Sequence, residues 1–165
     1  MMELQALTER KDLSSYLDVN RLLVKSFLLS CASFYEDEIT RIARAVLDGG
    51  RHPVGVRNWL HAVAVEGQFY KWFDFRGARN TNPFLARFGG EFKDSVRNLL
   101  NAKDRRLQAE SDFLELCQKR NECVHRNYAA YSLELTLDEI YVKHMSAMSY
   151  IRVVDHGARK WLIPP

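Results

Sequence analysis

Proline and glycine are missing from most of this chain. Neither occurs between Met1 and Asp48, and neither occurs again from Glu91 to His156, whereas seven of the eight glycines fall between Gly49 and Gly90. Proline removes a helix hydrogen bond and clashes with the preceding turn, and glycine costs about 1 kcal/mol in a helix interior. Two long regions are therefore free to be helical on either side of an irregular middle. Long apolar runs are missing too. Stretches such as Leu22 to Val24 and Ala62 to Val65 fall far short of the roughly 20 residues a membrane-spanning helix needs, so no membrane association is expected. Glu3, Glu9, Arg10, Lys11 and Asp12 precede any apolar stretch, the wrong order for a secretory signal, and a cytoplasmic location is expected. Cysteine is scarce. Three residues with no CxxC pair fit free thiols in a reducing compartment rather than a disulfide framework. No glycine-rich phosphate loop, HExxH, GxSxG or EF-hand spacing occurs, which removes support from most common enzyme classes.

What is present is ordinary in bulk. The chain has 165 residues, 27% charged and 47% hydrophobic, which is the size of one domain spanning 1–165. Such a length buries enough apolar surface to stand without disulfides or a structural metal. The net charge of +3 and pI near 8.8 permit contact with polyanions without requiring it.

Periodicity supplies the elements. Asp18 is a plausible N-cap for a helix of about thirty residues carrying Leu22, Val24, Phe27, Leu28, Cys31, Phe34, Tyr35, Ile39, Ile42 and Val46 at helical spacing, ended by Gly49 and Gly50. A shorter helix from about Glu3 to Ser14 is expected before it. Another is predicted over about Val56 to Phe73, then a loop containing Pro83, a short helix from Glu91 to Asn101, and a long helix opening near Asp104. Thr136 with Glu139 matches a capping box, so a last helix should run to about Val154. No stretch alternates apolar and polar residues, and there is no internal repeat. The fold class expected is all-α, an antiparallel bundle of about five to six helices.

One segment stands out, Gln118 to Tyr128 on the C-terminal half of the fifth helix. Phe113, Cys117 and Val124 define an apolar stripe there, and Arg120 lies three residues after Cys117 and four before Val124, so it should project from the same face. A charged group on a packing face is costly unless paired or hydrated. Asn121 and His125, four apart, stack along the edge of that face, so the three side chains can converge on one small anion. Arginine offers a fixed fork of donors to phosphate oxygens, and histidine can carry a proton to or from a ribose oxygen. A plainer account stands beside this one: Arg120 reaching to solvent, Asn121 bonded to backbone, His125 on the surface. Cys117 and Cys123 are six residues apart, about 600 degrees around a helix, so the thiols point to different sides and no metal or other cofactor is expected.

Arg120-Asn121-Glu122-Cys123-Val124-His125 resembles the Arg-x4-His signature of HEPN domains, in which Asn, Asp or His commonly follows the arginine. Leu28 to Glu36 resembles the early helix that packs beside that motif in the family. With Trp72-Phe73-Asp74-Phe75 and Phe88-Gly89-Gly90-Glu91-Phe92, the pattern is most similar to the prokaryotic HEPN subgroup associated with RiboL-PSP proteins. The resemblance covers nearly the whole chain, and only its Arg-Asn-x3-His element is specific. It implies a metal-independent endoribonuclease that works on RNA as a homodimer, with both copies of the motif brought together in one composite Arg/His cleft at the interface, in a toxin-antitoxin or anti-phage setting, with an antitoxin or other regulatory protein as a further partner. By motif position Arg120 and His125 would be the catalytic pair, Asn121 the orienting residue and Glu36 a supporting acid. Lys119 and Arg126 would contact backbone phosphates. The alternative is a non-catalytic HEPN module that binds nucleotide, RNA or protein. One departure concerns control: where family toxins regulated by adenylylation carry a tyrosine two residues after the histidine, this chain has Asn127, with Tyr128 one place later.

Overall fold

The computed structural model describes residues 2–50, 52–73, 75, 77 and 79–162, with side chains described from 13 onward. Asp74, in the aromatic run Trp72 to Phe75, lies outside the described residues. The architecture is all-α, and no strand occurs among the described residues. Among the described residues seven α-helices follow one another: α1 (Met2–Asp48), α2 (Val54–Leu60), α3 (Phe69–Trp72), α4 (Asn82–Leu85), α5 (Gly90–Asn101), α6 (Asp104–His125) and α7 (Leu137–Leu162). No helix among the described residues is long and apolar enough to cross a membrane.

The two helices expected before Gly49 are one. Asp18 is not a cap; it sits inside α1 and faces Arg21 across 3.6 Å, an i,i+3 pair that supports the helix from within. With no proline or glycine in the way, nothing interrupts propagation until Gly49, whose amide donates to the Ala45 carbonyl at 3.0 Å. The opposite correction applies to the single helix expected over Val56 to Phe73. It divides into α2, a π-helical turn over His61–Val65 and the single turn α3. Gly67, at φ +62°, makes the break, a conformation that a residue with a Cβ adopts only under strain.

Three long helices make the frame. Lys25 lies against the segment after α6, Tyr35 packs on Phe113, and Phe113 packs on Tyr150, so α1 and α7 each run antiparallel to α6. α1 and α7 are parallel to each other, with Phe27 beside His144 and Arg41 bonded to Asp155 at 3.0 Å. α5 closes the other side of α7. A Cβ at Gly157 would lie 2.6 Å from Val96 Cγ2, which is why the two helices cross so closely there. The capping box forms as the spacing predicts: the Thr136 amide donates to Glu139 Oε2 at 2.8 Å, and the Glu139 amide donates to Thr136 Oγ1 at 3.2 Å. α7 then runs eight residues beyond the expected end at Val154, to Leu162.

Phe113 is the hub of the core. It is fully buried and its ring meets Tyr35 (5.5 Å), Phe73 (5.4 Å), Phe69 (6.4 Å) and Tyr150 (4.8 Å). Those contacts fasten the aromatic stretch of the irregular middle beneath α6 and so decide what lies under the motif.

Candidate functional site

α6 carries the motif on its last two turns, and its packing face is not quite the one expected. Phe113 and Cys117 are buried, and so is Cys123, while Val124 is 43% exposed. At 3.6 residues per turn Cys123 lies about 240° around the helix from Cys117, so it is buried on a different side, where the Lys25 charge of α1 acts on its thiol, and Val124, in line with Cys117, is left uncovered. Arg120 remains on the packing side, half-buried, with its guanidinium 4.2 Å from the centre of the Tyr70 ring. This is a cation–π contact in a partly dry setting. One terminal nitrogen also reaches Asn121 Oδ1 at 3.4 Å, a long contact. The Arg120 Nε is buried with no acceptor, and the Tyr70 hydroxyl is buried outside hydrogen-bond geometry of any partner, although Glu36 is near enough to act on its titration.

Tyr70 reaches this place because α3 follows the break at Gly67 and packs its Phe69 into the core. Burial pushes the Tyr70 phenol well above its ordinary value; the Arg120 charge pulls it back and Glu36 raises it again. Cys117 is held far above the thiol range by burial, with the same two charges acting in opposite senses. Glu36 and Arg120 thus bracket Tyr70 and Cys117, yet the two make no ion pair within 4.0 Å. The supporting acid expected at position 36 stands near the arginine without binding it.

Above this layer opens a groove of about 630 Å³ lined by Tyr70, Phe73, Phe75, Gln118, Asn121, Glu122, His125 and Arg126. Of the expected residues, Asn121, His125 and Arg126 face one space; Arg120 does not line it, and instead lies against the ring of Tyr70, which does. His125 is exposed on the last residue of α6, after which Arg126 turns to extended backbone (φ −91°, ψ 166°). Lys119 does not line the groove; it is half-buried, and its charge acts on Glu122. Glu36 does not line it either.

Glu122 is the groove residue that the motif's spacing does not single out. Burial would raise its carboxyl, but hydrogen bonds from Gln118 Nε2 (3.1 Å) and the Tyr131 hydroxyl (3.0 Å), with Lys119 and Arg126 nearby, outweigh it and hold the group below its ordinary value. The i,i+4 spacing of Gln118 and Glu122 is legible in the sequence. Tyr131 is not, because it returns from a turn. Asn127 builds that turn: its carbonyl accepts from Ala130 (3.0 Å) and Tyr131 (2.8 Å), and its side-chain oxygen from the Ala129 amide (3.2 Å). Lys25, 4% exposed, then ties the segment to α1 by donating to the Tyr128 carbonyl at 2.7 Å.

Among the described residues no group of three or more His, Cys, Asp and Glu side chains lies close enough together to hold a metal ion. No family model matches the chain, and no curated protein or solved structure matches it either. What the groove can do chemically therefore follows from its own geometry.

Proposed function

We propose that the chain is a metal-independent endoribonuclease of HEPN type, acting on single-stranded RNA in the groove at the end of α6. The observation that supports this reading is the assembly of Asn121, His125 and Arg126 around one groove with Tyr70, Phe73 and Phe75 in its lining, Arg120 being held against the Tyr70 ring. Aromatic edges suit bases, cations suit the backbone, and an exposed imidazole suits proton transfer at a ribose oxygen. The substrate's own 2'-hydroxyl is the nucleophile: it attacks the adjacent phosphorus and the 5'-oxygen of the next nucleotide leaves, giving a 2',3'-cyclic phosphate and a 5'-hydroxyl. A second reading, a module that binds RNA or nucleotide without cutting it, is favoured by the ionised Glu122 in the groove and by the engagement of Arg120 with Tyr70 and Asn121.

The two readings separate on RNA incubated with the purified protein in EDTA. Cleavage with cyclic-phosphate ends, blocked at a site carrying a single 2'-deoxy nucleotide, is expected. Binding without cleavage selects the second reading, and 5'-phosphate ends or a need for magnesium overturn the first.

The working form is a homodimer. Support comes from apolar side chains left in solvent: Leu13, Tyr16, Leu17, Leu22 and Leu23 on α1, and Tyr141, Val142 and Met145 on α7, are each between 45% and 68% exposed. Light scattering at tens of micromolar, as an order of magnitude, is expected to give the dimer mass, and a monomer mass alone would rule the pairing out. The setting, toxin-antitoxin or anti-phage with a regulatory protein as partner, belongs to the same proposal.

A further inference from the structure

A second groove lies on the opposite side of α3. Tyr70 faces the candidate site, whereas Gln68, Lys71 and Trp72 face a space of about 700 Å³ enclosed with Ala43 and Leu47 of α1, Leu60, the π-helical Val63 to Val65, Arg87 and Phe88. That volume is within the range of small-molecule sites, roughly 300–1,000 Å³. Its floor is fixed and apolar. Ala43, Val65 and Trp72 are buried, and the Trp72 indole N–H donates to the Ala64 carbonyl at 3.2 Å, a carbonyl of the widened π turn.

The charge at the mouth is of one sign. Lys71 and Arg87 are the ionisable residues lining the groove, and Arg87 is held beside Lys71 by donating to its backbone carbonyl at 3.3 Å. Among the described residues neither makes an ion pair, and two acids on neighbouring elements are engaged elsewhere: Glu66 with Arg44 at 2.8 Å, and Asp48 with His61 at 2.9 Å. An apolar trough with two adjacent cations at its rim and, among the described residues, no acid in its lining complements a molecule that is apolar along its body and anionic at one end.

We propose that this groove binds a monomeric medium-chain fatty carboxylate, its chain lying along Leu47, Leu60, Val65 and Trp72 and its carboxylate between Lys71 and Arg87. Small water-soluble anions lack the apolar body, and neutral alcohols lack the head, so each satisfies half of the site. The proposal stands apart from the RNA-cleaving reading, since none of the motif residues lines this groove.

The test is a calorimetric titration of the full chain with dodecanoate, with dodecanol and acetate as controls. Dodecanoate is expected to bind with one site per chain, and both controls at least about tenfold more weakly, the difference a charge-assisted contact provides. A Lys71→Ala/Arg87→Ala variant should lose about tenfold in dodecanoate affinity and leave dodecanol unchanged. Ala64→Phe, which fills the trough, should abolish binding; because it risks the π turn, its helicity is checked by circular dichroism, and if it unfolds the charge variant decides the outcome. Absence of binding to the folded wild-type chain, equal binding of dodecanol, or indifference to the loss of both cations overturns the proposal.

Discussion

Replacing Glu110 by alanine is expected to destabilise the fold by about 3–5 kcal/mol, the loss typical when one partner of a buried ion pair is removed. Glu110 is the best-connected acid of the molecule's interior. Its oxygens accept from both terminal nitrogens of Arg97 at 2.7 and 2.8 Å, from the Thr81 amide at 2.7 Å and from the Thr81 hydroxyl at 2.7 Å. Its side chain is 4% exposed and that of Arg97 18%. Without it a guanidinium and a buried backbone N–H are left facing nothing, and the residual penalty falls on α5, α6 and the start of α4 together. Urea unfolding measures the loss, and a change below about 1 kcal/mol would mean that the network is not needed. An Arg97→Met/Glu110→Leu double variant should recover only part of it. Apolar replacement removes both charges, but Thr81 keeps an amide with no acceptor.

The same residue predicts a pH dependence whose sign is fixed. Burial alone would raise the Glu110 carboxyl, but Arg97 and the two Thr81 donors outweigh it, and the folded-state pKa lies below the ordinary value. A depressed carboxyl stabilises fully above the unfolded value of about 4.3 and progressively less as pH falls toward the folded value. The wild-type thermal midpoint should therefore drop on acidification below that point, and the drop should be shallower in Glu110→Gln, which has no proton to gain.

Local signals carried much of this fold in the sequence, and contacts between distant segments carried the rest. Thr136 and Glu139 are three residues apart and form the capping box that the spacing specifies. Gly49 ends α1 for an equally local reason. Asp18 was ambiguous because the same side chain caps a helix or pairs with Arg21 inside one, and only the continuity of the surrounding residues decides. On α6 the seven-residue spacing puts Val124 in line with Cys117, but Val124 is left exposed and Cys123, on another side of the helix, is buried, because what covers each side is set by distant segments. The site divides in the same way. Asn121 and His125 share a face because their i,i+4 spacing makes them do so, whereas Arg126 joins them only because the chain leaves the helix there in extended backbone. Tyr70 is fifty residues from Arg120, and its position beneath the guanidinium follows from the reversal at Gly67 and the packing of Phe69 and Phe73 on Phe113. No pattern within the motif encodes that.

On the proposed chemistry, His125→Ala is expected to lower RNA cleavage by about 10²–10⁴-fold, the usual contribution of a positioned proton carrier. The thermal midpoint should not move, because His125 is exposed at the end of α6. Arg120 requires a finer comparison. Its alanine variant removes both a phosphate-binding fork and a half-buried group that covers Tyr70, so lost activity and lost stability arrive together. Arg120→Lys separates them: the ammonium keeps the charge over the ring but loses the planar fork, and cleavage should remain strongly impaired in a folded protein. Tyr70→Phe is the matching control. It keeps the ring beneath Arg120 and deletes a buried hydroxyl that has no partner, so activity should persist and stability should hold or rise slightly. A His125→Ala protein that cuts RNA at the wild-type rate would put the proton carrier somewhere other than the end of α6, and an Arg120→Lys protein with full activity would reduce the arginine to a point charge.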